Sequence, residues 1–190
     1  MKTQKKLLLI AVAMSMVLLP VLASRAAAAT VDFGPTTLSI SQLGDLTLVV
    51  KEGMPQAIVV RGRNLYGKDV GFSISGAPYM GKVLVTNNLT LLPATMPLKF
   101  EHYGVVELTF GDNMLVLQYN GTATKTKDAA MMTKTLNSYG DFVVADATGA
   151  VADLKGMKGT YKLTLTCHTV AGEHPMVGSP VEVMFSAMGM

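Results

Sequence analysis

Cystine is excluded from this sequence: Cys167 is the single cysteine in 190 residues, so no disulfide can close within the chain. The fold therefore rests on packing and hydrogen bonds. The spacings that announce common chemistry are missing too. No Gly-x-Ser-x-Gly, His-Glu-x-x-His, phosphate-binding loop or Cys-x-x-Cys occurs, which leaves no nucleophile elbow, zinc helix or redox pair to read. Beyond residue 29 no stretch keeps apolar residues at i, i+3, i+4 and i+7 for three turns, so amphipathic helices are excluded as the main element. Fixed-period repeats and low-complexity tracts are also absent.

Excess charge of either sign is lacking once the N-terminus is set aside. Lys2, Lys5 and Lys6 precede an uncharged, mostly apolar run from Leu7 to Leu22, and Ala27-Ala28-Ala29 follows as a small-x-small site. This is the pattern of a secretory signal peptide. The run is short and is broken by Ser15 and Pro20, which suits a cleaved leader better than a membrane-spanning helix. No cysteine follows it to carry a lipid, so no stable membrane anchor is expected. The expected organisation is a signal peptide over 1–29, cleaved near Ala29, and one domain over 30–190, secreted or periplasmic. The leader holds four of the sixteen basic residues and none of the thirteen acidic ones. The remainder is close to neutral, which gives nucleic acid or an anionic membrane no electrostatic footprint.

What the sequence does contain is alternation of period two. Strands are expected at Leu38–Ile40, Leu46–Lys51, Ala57–Arg61, Val70–Ser75, Lys82–Thr86, Leu89–Leu92, Val105–Phe110, Leu115–Asn120, Phe142–Ala145, Thr160–His168 and Val181–Phe185. Val106, Leu108 and Phe110 oppose Glu107 and Thr109, while Tyr161, Leu163, Leu165 and Cys167 oppose Lys162, Thr164, Thr166 and His168. Gly111-Asp112-Asn113 reads as a hairpin loop and Asn120-Gly121 as a tight turn. Pro93–Pro97 reads as an edge or crossover, and Lys125–Met132 as a short helical turn. The fold class is all-β, a single antiparallel β-barrel, with an immunoglobulin-like β-sandwich as the alternative. Either arrangement manages sheet edges, and periodicity does not choose between them.

Few residues offer chemistry. His102 follows Glu101 just before an expected strand, where it reads as a solvated loop histidine or as a general base at a barrel rim. His168 falls on the wet face when Cys167 is on the dry one. Cys167 reads as inert packing with a raised thiol pKa. His174 and Met176, with Met184, Met188 and Met190 nearby, form a set suited to Cu(I) in an exported protein. The competing reading is methionine as a filler of irregular cores, and no cofactor is expected. Asn88-Leu89-Thr90 and Asn120-Gly121-Thr122 are glycosylation sequons only in a eukaryotic secretory pathway.

From Val105 to Thr166 the chain carries Val-Val-Glu-Leu-Thr-Phe-Gly-Asp-Asn-Met-Leu, Gly121-Thr122-Ala123-Thr124, Gly140-Asp141-Phe142-Val143-Val144, Ala147-Thr148-Gly149-Ala150, Leu154, Gly156 and Gly159-Thr160-Tyr161. This stretch resembles the bacterial relatives of the allene oxide cyclase and dirigent β-barrels. Its motif is made of turn glycines and strand apolars, and the interval from Thr148-Gly149 to Gly159 is stretched by about a residue against that family's pattern. The resemblance implies a calycin-like barrel. It implies no catalytic residue, because the acid and binding positions of the plant cyclases have no counterpart here. A second stretch, Ile58–Phe72, resembles the opening of a TIG-type immunoglobulin-like module, a β-sandwich used for adhesion or spacing.

Together these readings give three functional expectations. The first is a barrel that binds a small apolar molecule, or steers its cyclisation or isomerisation by shape, through Tyr119, Tyr161, Leu163, Leu165 and Cys167. A barrel filled solid by its own side chains would contradict it. The second is a non-catalytic sandwich module in cell-surface structure or assembly, as a homo-oligomer. The third is a copper carrier.

Overall fold

The computed structural model describes residues 28–92, 99–128, 132–168 and 175–190. Nine strands follow in chain order: β1 (Thr30–Gln42), β2 (Asp45–Lys51), β3 (Met54–Ile74), β4 (Ala77–Leu92), β5 (Lys99–Phe110), β6 (Asn113–Asp128), β7 (Thr133–Ala147), β8 (Lys158–His168) and β9 (Pro180–Gly189). A short 3-10 helix, Gly149–Leu154, lies between β7 and β8. The ladder runs β1-β9-β8-β7-β6-β5-β4-β3, and β1 pairs again with β3. That second pairing closes an eight-stranded antiparallel barrel, and no sandwich of two separate sheets forms. β1, β3 and β4, from residues 30–92, are therefore part of the same ring as the strands from the C-terminal half, while β2 lies outside it.

The expected strands fuse into longer ones. Ala57–Arg61 and Val70–Ser75 are both parts of β3, which bends through register shifts at Val60/Arg63 and Gly67/Val70. Gly62 and Asp69 there have φ of 71° and 57°, the left-handed backbone that a bulge requires. The stretch with the TIG-like opening is thus barrel wall. Asn120-Gly121 makes no turn, since β6 continues to Asp128 and Gly121 lies opposite Gly140 on β7. A Cβ at Gly121 would run into the Tyr139 carbonyl, so glycine serves close approach between strands there. The helical turn expected at Lys125–Met132 is also corrected: Lys125–Asp128 pair with Thr133–Leu136 as strand. Lys125 and Lys127 keep the period of two, and that pairing prevails over a local helical preference. Pro93–Pro97, His174 and residues 1–27 of the leader lie outside the described residues.

Inward rows fill the barrel with Leu, Val and aromatic side chains, among them Leu38, Leu65, Val83, Val85, Val106, Leu108, Leu115, Leu117 and Leu163. One end is shut. Ser75-Gly76 turns with positive φ at both residues, the form that matches strand twist. Phe110 packs edge-on against Phe72 at 5.3 Å and tilted against Tyr79 at 4.7 Å. Asn113 ties the 3-10 turn to the β5–β6 hairpin: its Oδ1 accepts from the Ala150 N–H at 2.7 Å, and its Nδ2 donates to the Phe110 carbonyl at 3.0 Å. The turn thereby carries Val151 into the core. The opposite end receives the β2–β3 hairpin and the ends of β4, β6 and β8.

Candidate functional site

Following the inward rows from the shut end to the open one gives three levels. The first is the apolar and aromatic fill just described. The second is a buried polar layer. Tyr161 donates to or accepts from Ser138 Oγ at 2.8 Å, and its ring lies 5.0 Å from that of Tyr119. The Tyr119 hydroxyl lies 3.0 Å from the Thr86 carbonyl, 2.9 Å from Asn87 Oδ1 and 3.3 Å from His102 Nε2. His102 Nε2 lies 3.1 Å from Asn87 Oδ1. Gly104 makes this layer possible, because a Cβ there would strike the Thr86 carbonyl and come within 2.6 Å of the Tyr119 hydroxyl.

His102 is fully buried, which corrects both readings of it as a solvated loop residue and as a base at the rim. It shares inward parity with Gly104, Val106, Leu108 and Phe110, so the alternation already visible at the end of β5 reaches back to it. Burial pushes its pKa down to about 4, since the charged ring would sit in a low dielectric. Its Nδ1 has no hydrogen-bond partner among the described residues. With one nitrogen facing Asn87 and the other orphaned in the core, the ring is held neutral and away from solvent. Burial raises the Tyr119 hydroxyl well above its ordinary value, and nearby Tyr161 adds to this.

The third level is a cavity of about 220 Å³ at the open end. Ile40, Leu65, Leu89, Phe100, Leu136, Leu165 and Val181 give it apolar walls, and Asn87 from the polar layer reaches it. Among the described residues its charged lining consists of Arg63, Lys125 and Lys134, and no carboxylate lines it. These cations are present because the parity that turns Leu65, Ala123 and Leu136 inward also turns Arg63, Lys125 and Lys134 inward two residues further along. Burial lowers the pKa of Arg63. Lys125 is lowered first by burial and then by Lys134, Lys127 and Arg63, so Lys125 feels the charge of both other cations in the lining. Larger depressions lie on the outer wall, such as that over Gly34, Gly71 and Met184, but they are shallow and open to solvent. The end cavity is the one that joins concave apolar walls to converging polar groups.

The five residues expected to bind a ligand divide between levels. Leu165 and Cys167 line the cavity. Tyr119, Tyr161 and Leu163 are 2 % exposed or less and belong to the filled interior. Cys167 is half-buried; burial raises its thiol pKa, while Lys134, Arg63 and Lys125 pull it back down. Cys167 lies directly opposite Lys134 on β7. His168 is exposed at the strand end. Of the copper set, His174 lies outside the described residues, while Met176, Met184, Met188 and Met190 are exposed. Met184 and Met188 sit on the outward row of β9. Among the described residues no three of His, Cys, Asp and Glu gather to hold a metal. Asn88 of the first sequon is engaged within the sheet: its Oδ1 accepts from the Gly62 N–H at 2.9 Å and its Nδ2 donates to the Tyr103 carbonyl at 3.2 Å.

Compared with protein-family models, with curated proteins and with solved structures, the chain matches none.

Proposed function

We propose that this protein binds a small amphiphile at the open end of its barrel, with the apolar body in the cavity and an anionic head against Arg63, Lys125 and Lys134. The observation that carries the reading is the lining itself: apolar walls whose charged groups, among the described residues, are three cations. Three like charges facing one half-buried cavity destabilise one another. An anion among them relieves that repulsion and gains charge-assisted hydrogen bonds. The cavity lies below the usual range of about 300–1,000 Å³ for small-molecule sites. It therefore suits a slender tail with its head at the mouth better than a compact molecule swallowed whole.

Export, with the leader removed near Ala29, belongs to the same proposal, as does kinship with the allene oxide cyclase and dirigent barrels. Should the bound molecule be transformed, confinement chemistry such as cyclisation or isomerisation fits a site in which His102 is held behind Asn87. Titration calorimetry with decanoate and with decanol tests the reading. Decanoate binds, and decanol binds at least about tenfold more weakly, the scale of one or two charge-assisted hydrogen bonds. The double variant Lys125→Gln/Lys134→Gln brings decanoate down to the level of decanol. Equal affinity of the unaltered protein for the two probes removes the anionic head from the proposal, and binding of neither removes the site.

A further inference from the structure

The strand β2 stands apart from the barrel that carries the cavity. It pairs along the same edge of β3 that β1 uses, in line with β1 and beyond its end: β1 takes Asn64–Ile74 and β2 takes Met54–Arg61. Its sequence is Asp-Leu-Thr-Leu-Val-Val-Lys, and every one of its residues is exposed. Leu46 is 72 % exposed and Val50 52 %, with Leu48 and Val49 close behind. Among the described residues nothing pairs with its other edge. Two usual protections of such an edge are missing from it, since it holds no proline and no charge between its two ends, and its pairing with β3 is irregular at one place, between Val49 and Val50.

Those two ends are of opposite sign and lie three residues either side of Leu48. Antiparallel pairing of β2 with a second β2 about a two-fold axis at Leu48 places Asp45 opposite Lys51 at both ends. It also sets Leu46 opposite Val50, Leu48 opposite Leu48, and Thr47 opposite Val49. Leu46, Leu48 and Val50 share one face of the strand, so in this register the apolar row of each copy meets the apolar row of the other. Sliding the register by two residues either way loses both ion pairs. Parallel pairing sets Asp45 against Asp45 and Lys51 against Lys51, which is repulsive. The strand is thus complementary to itself in charge, apolar pattern and hydrogen-bonding edge.

We propose that β2 is a homodimerisation strand, and that two copies of this chain join edge to edge through Asp45–Lys51 in the antiparallel register centred on Leu48. The inference uses the edge of β2 alone and stands whether or not the cavity binds an amphiphile. The paired strands are short, so the dimer belongs with weak, concentration-dependent associations unless other surfaces add to it.

Sedimentation velocity of the protein from its exported fraction, across a concentration series, tests this. The protein dimerises reversibly. Asp45→Lys and Lys51→Asp, each turning two attractive pairs into two repulsive ones, weaken the dimer by about tenfold. The double variant Asp45→Lys/Lys51→Asp restores it, because the exchanged charges face each other again. All three sites are exposed, and circular dichroism checks that each variant keeps its fold. In a Cys167→Ser background, Leu48→Cys forms a disulfide-linked dimer on mild oxidation, since the two copies of residue 48 meet at the axis. A monomer at every concentration overturns the proposal. So does a dimer indifferent to the single charge reversals, or a failure of the double variant to recover.

Discussion

The two ends of this barrel are built on one ladder and serve opposite purposes. At the shut end, short turns and the 3-10 segment fold Phe72, Tyr79, Phe110 and Val151 over the core, and Asn113 fastens the lid with two hydrogen bonds. At the open end the same inward rows finish in Arg63, Lys125, Lys134 and Cys167 around a cavity. Between them lies a polar layer in which His102, Asn87, Tyr119, Ser138 and Tyr161 satisfy one another almost completely. The comparison teaches that alternation alone decides which residues face inward, whereas the residue types at the last inward positions decide whether an end is packing or site. The barrel is filled through its middle, so the interior offers no channel from one end to the other for Tyr119 or Tyr161 to line.

The comparison breaks most directly where packing is densest. Phe110→Ala at the shut end should cost about 3–5 kcal/mol, the scale for deleting a buried aromatic side chain, and should leave affinity for decanoate unchanged. Leu165→Ala at the open end should cost less than half as much, because Leu165 is only half-buried, yet should weaken decanoate binding. Urea denaturation and calorimetry on the two variants read both quantities. A loss of binding in Phe110→Ala equal to that in Leu165→Ala would show that the ends are not independent.

The polar layer yields a pH dependence of the next size. The folded-state pKa of His102 is about 4 against an ordinary 6.5. Between those values the unfolded chain takes a proton that the folded one refuses, so stability falls as pH drops from 6.5 toward 4. The full loss is about 3 kcal/mol, reached near pH 4. Above pH 6.5 the histidine contributes no slope. Chemical denaturation at a series of pH values should show this dependence, and His102→Leu should flatten it even though the variant alters stability overall. An unchanged slope in His102→Leu would place the titration elsewhere.

The smallest expected effect concerns Cys167. Burial raises its thiol pKa against the pull of three cations, so alkylation by iodoacetamide should be slow at neutral pH and should rise with pH beyond the range of a free thiol. Decanoate should slow it further by occupying the cavity. Alkylation that ignores decanoate would separate the thiol from the site.

Much of the wall was legible in the sequence and little of the site. The rows Val106/Leu108/Phe110 and Tyr161/Leu163/Leu165/Cys167 announce strands with one dry face, while the choice between a barrel and a sandwich rests on the pairing of β1 with β3, which periodicity does not carry. Segment boundaries were less legible. Gly121 reads as a turn residue, but in the barrel it serves a close strand approach inside a continuous strand, a use that depends on the neighbouring strand. His102 was misplaced because the strand was started at Val105. Extending its alternation backward through Gly104 places it inside. Arg63, Lys125 and Lys134 went unread for a related reason: a charge on an inward row looks like the end of the strand. Only the pairing of Lys125 with Leu136, and of Lys134 with Cys167, shows that the row continues.

The central claim is that the open end, and not the barrel interior, holds a small amphiphilic anion. Native mass spectrometry of the protein purified gently from its own host, before and after denaturation, is the sharpest test. The expected result is a released small molecule with an apolar body and an anionic group, present with the unaltered protein and with Phe110→Ala but lost from Lys125→Gln/Lys134→Gln. A bare protein, or a bound molecule retained when both lysines are changed, would contradict it.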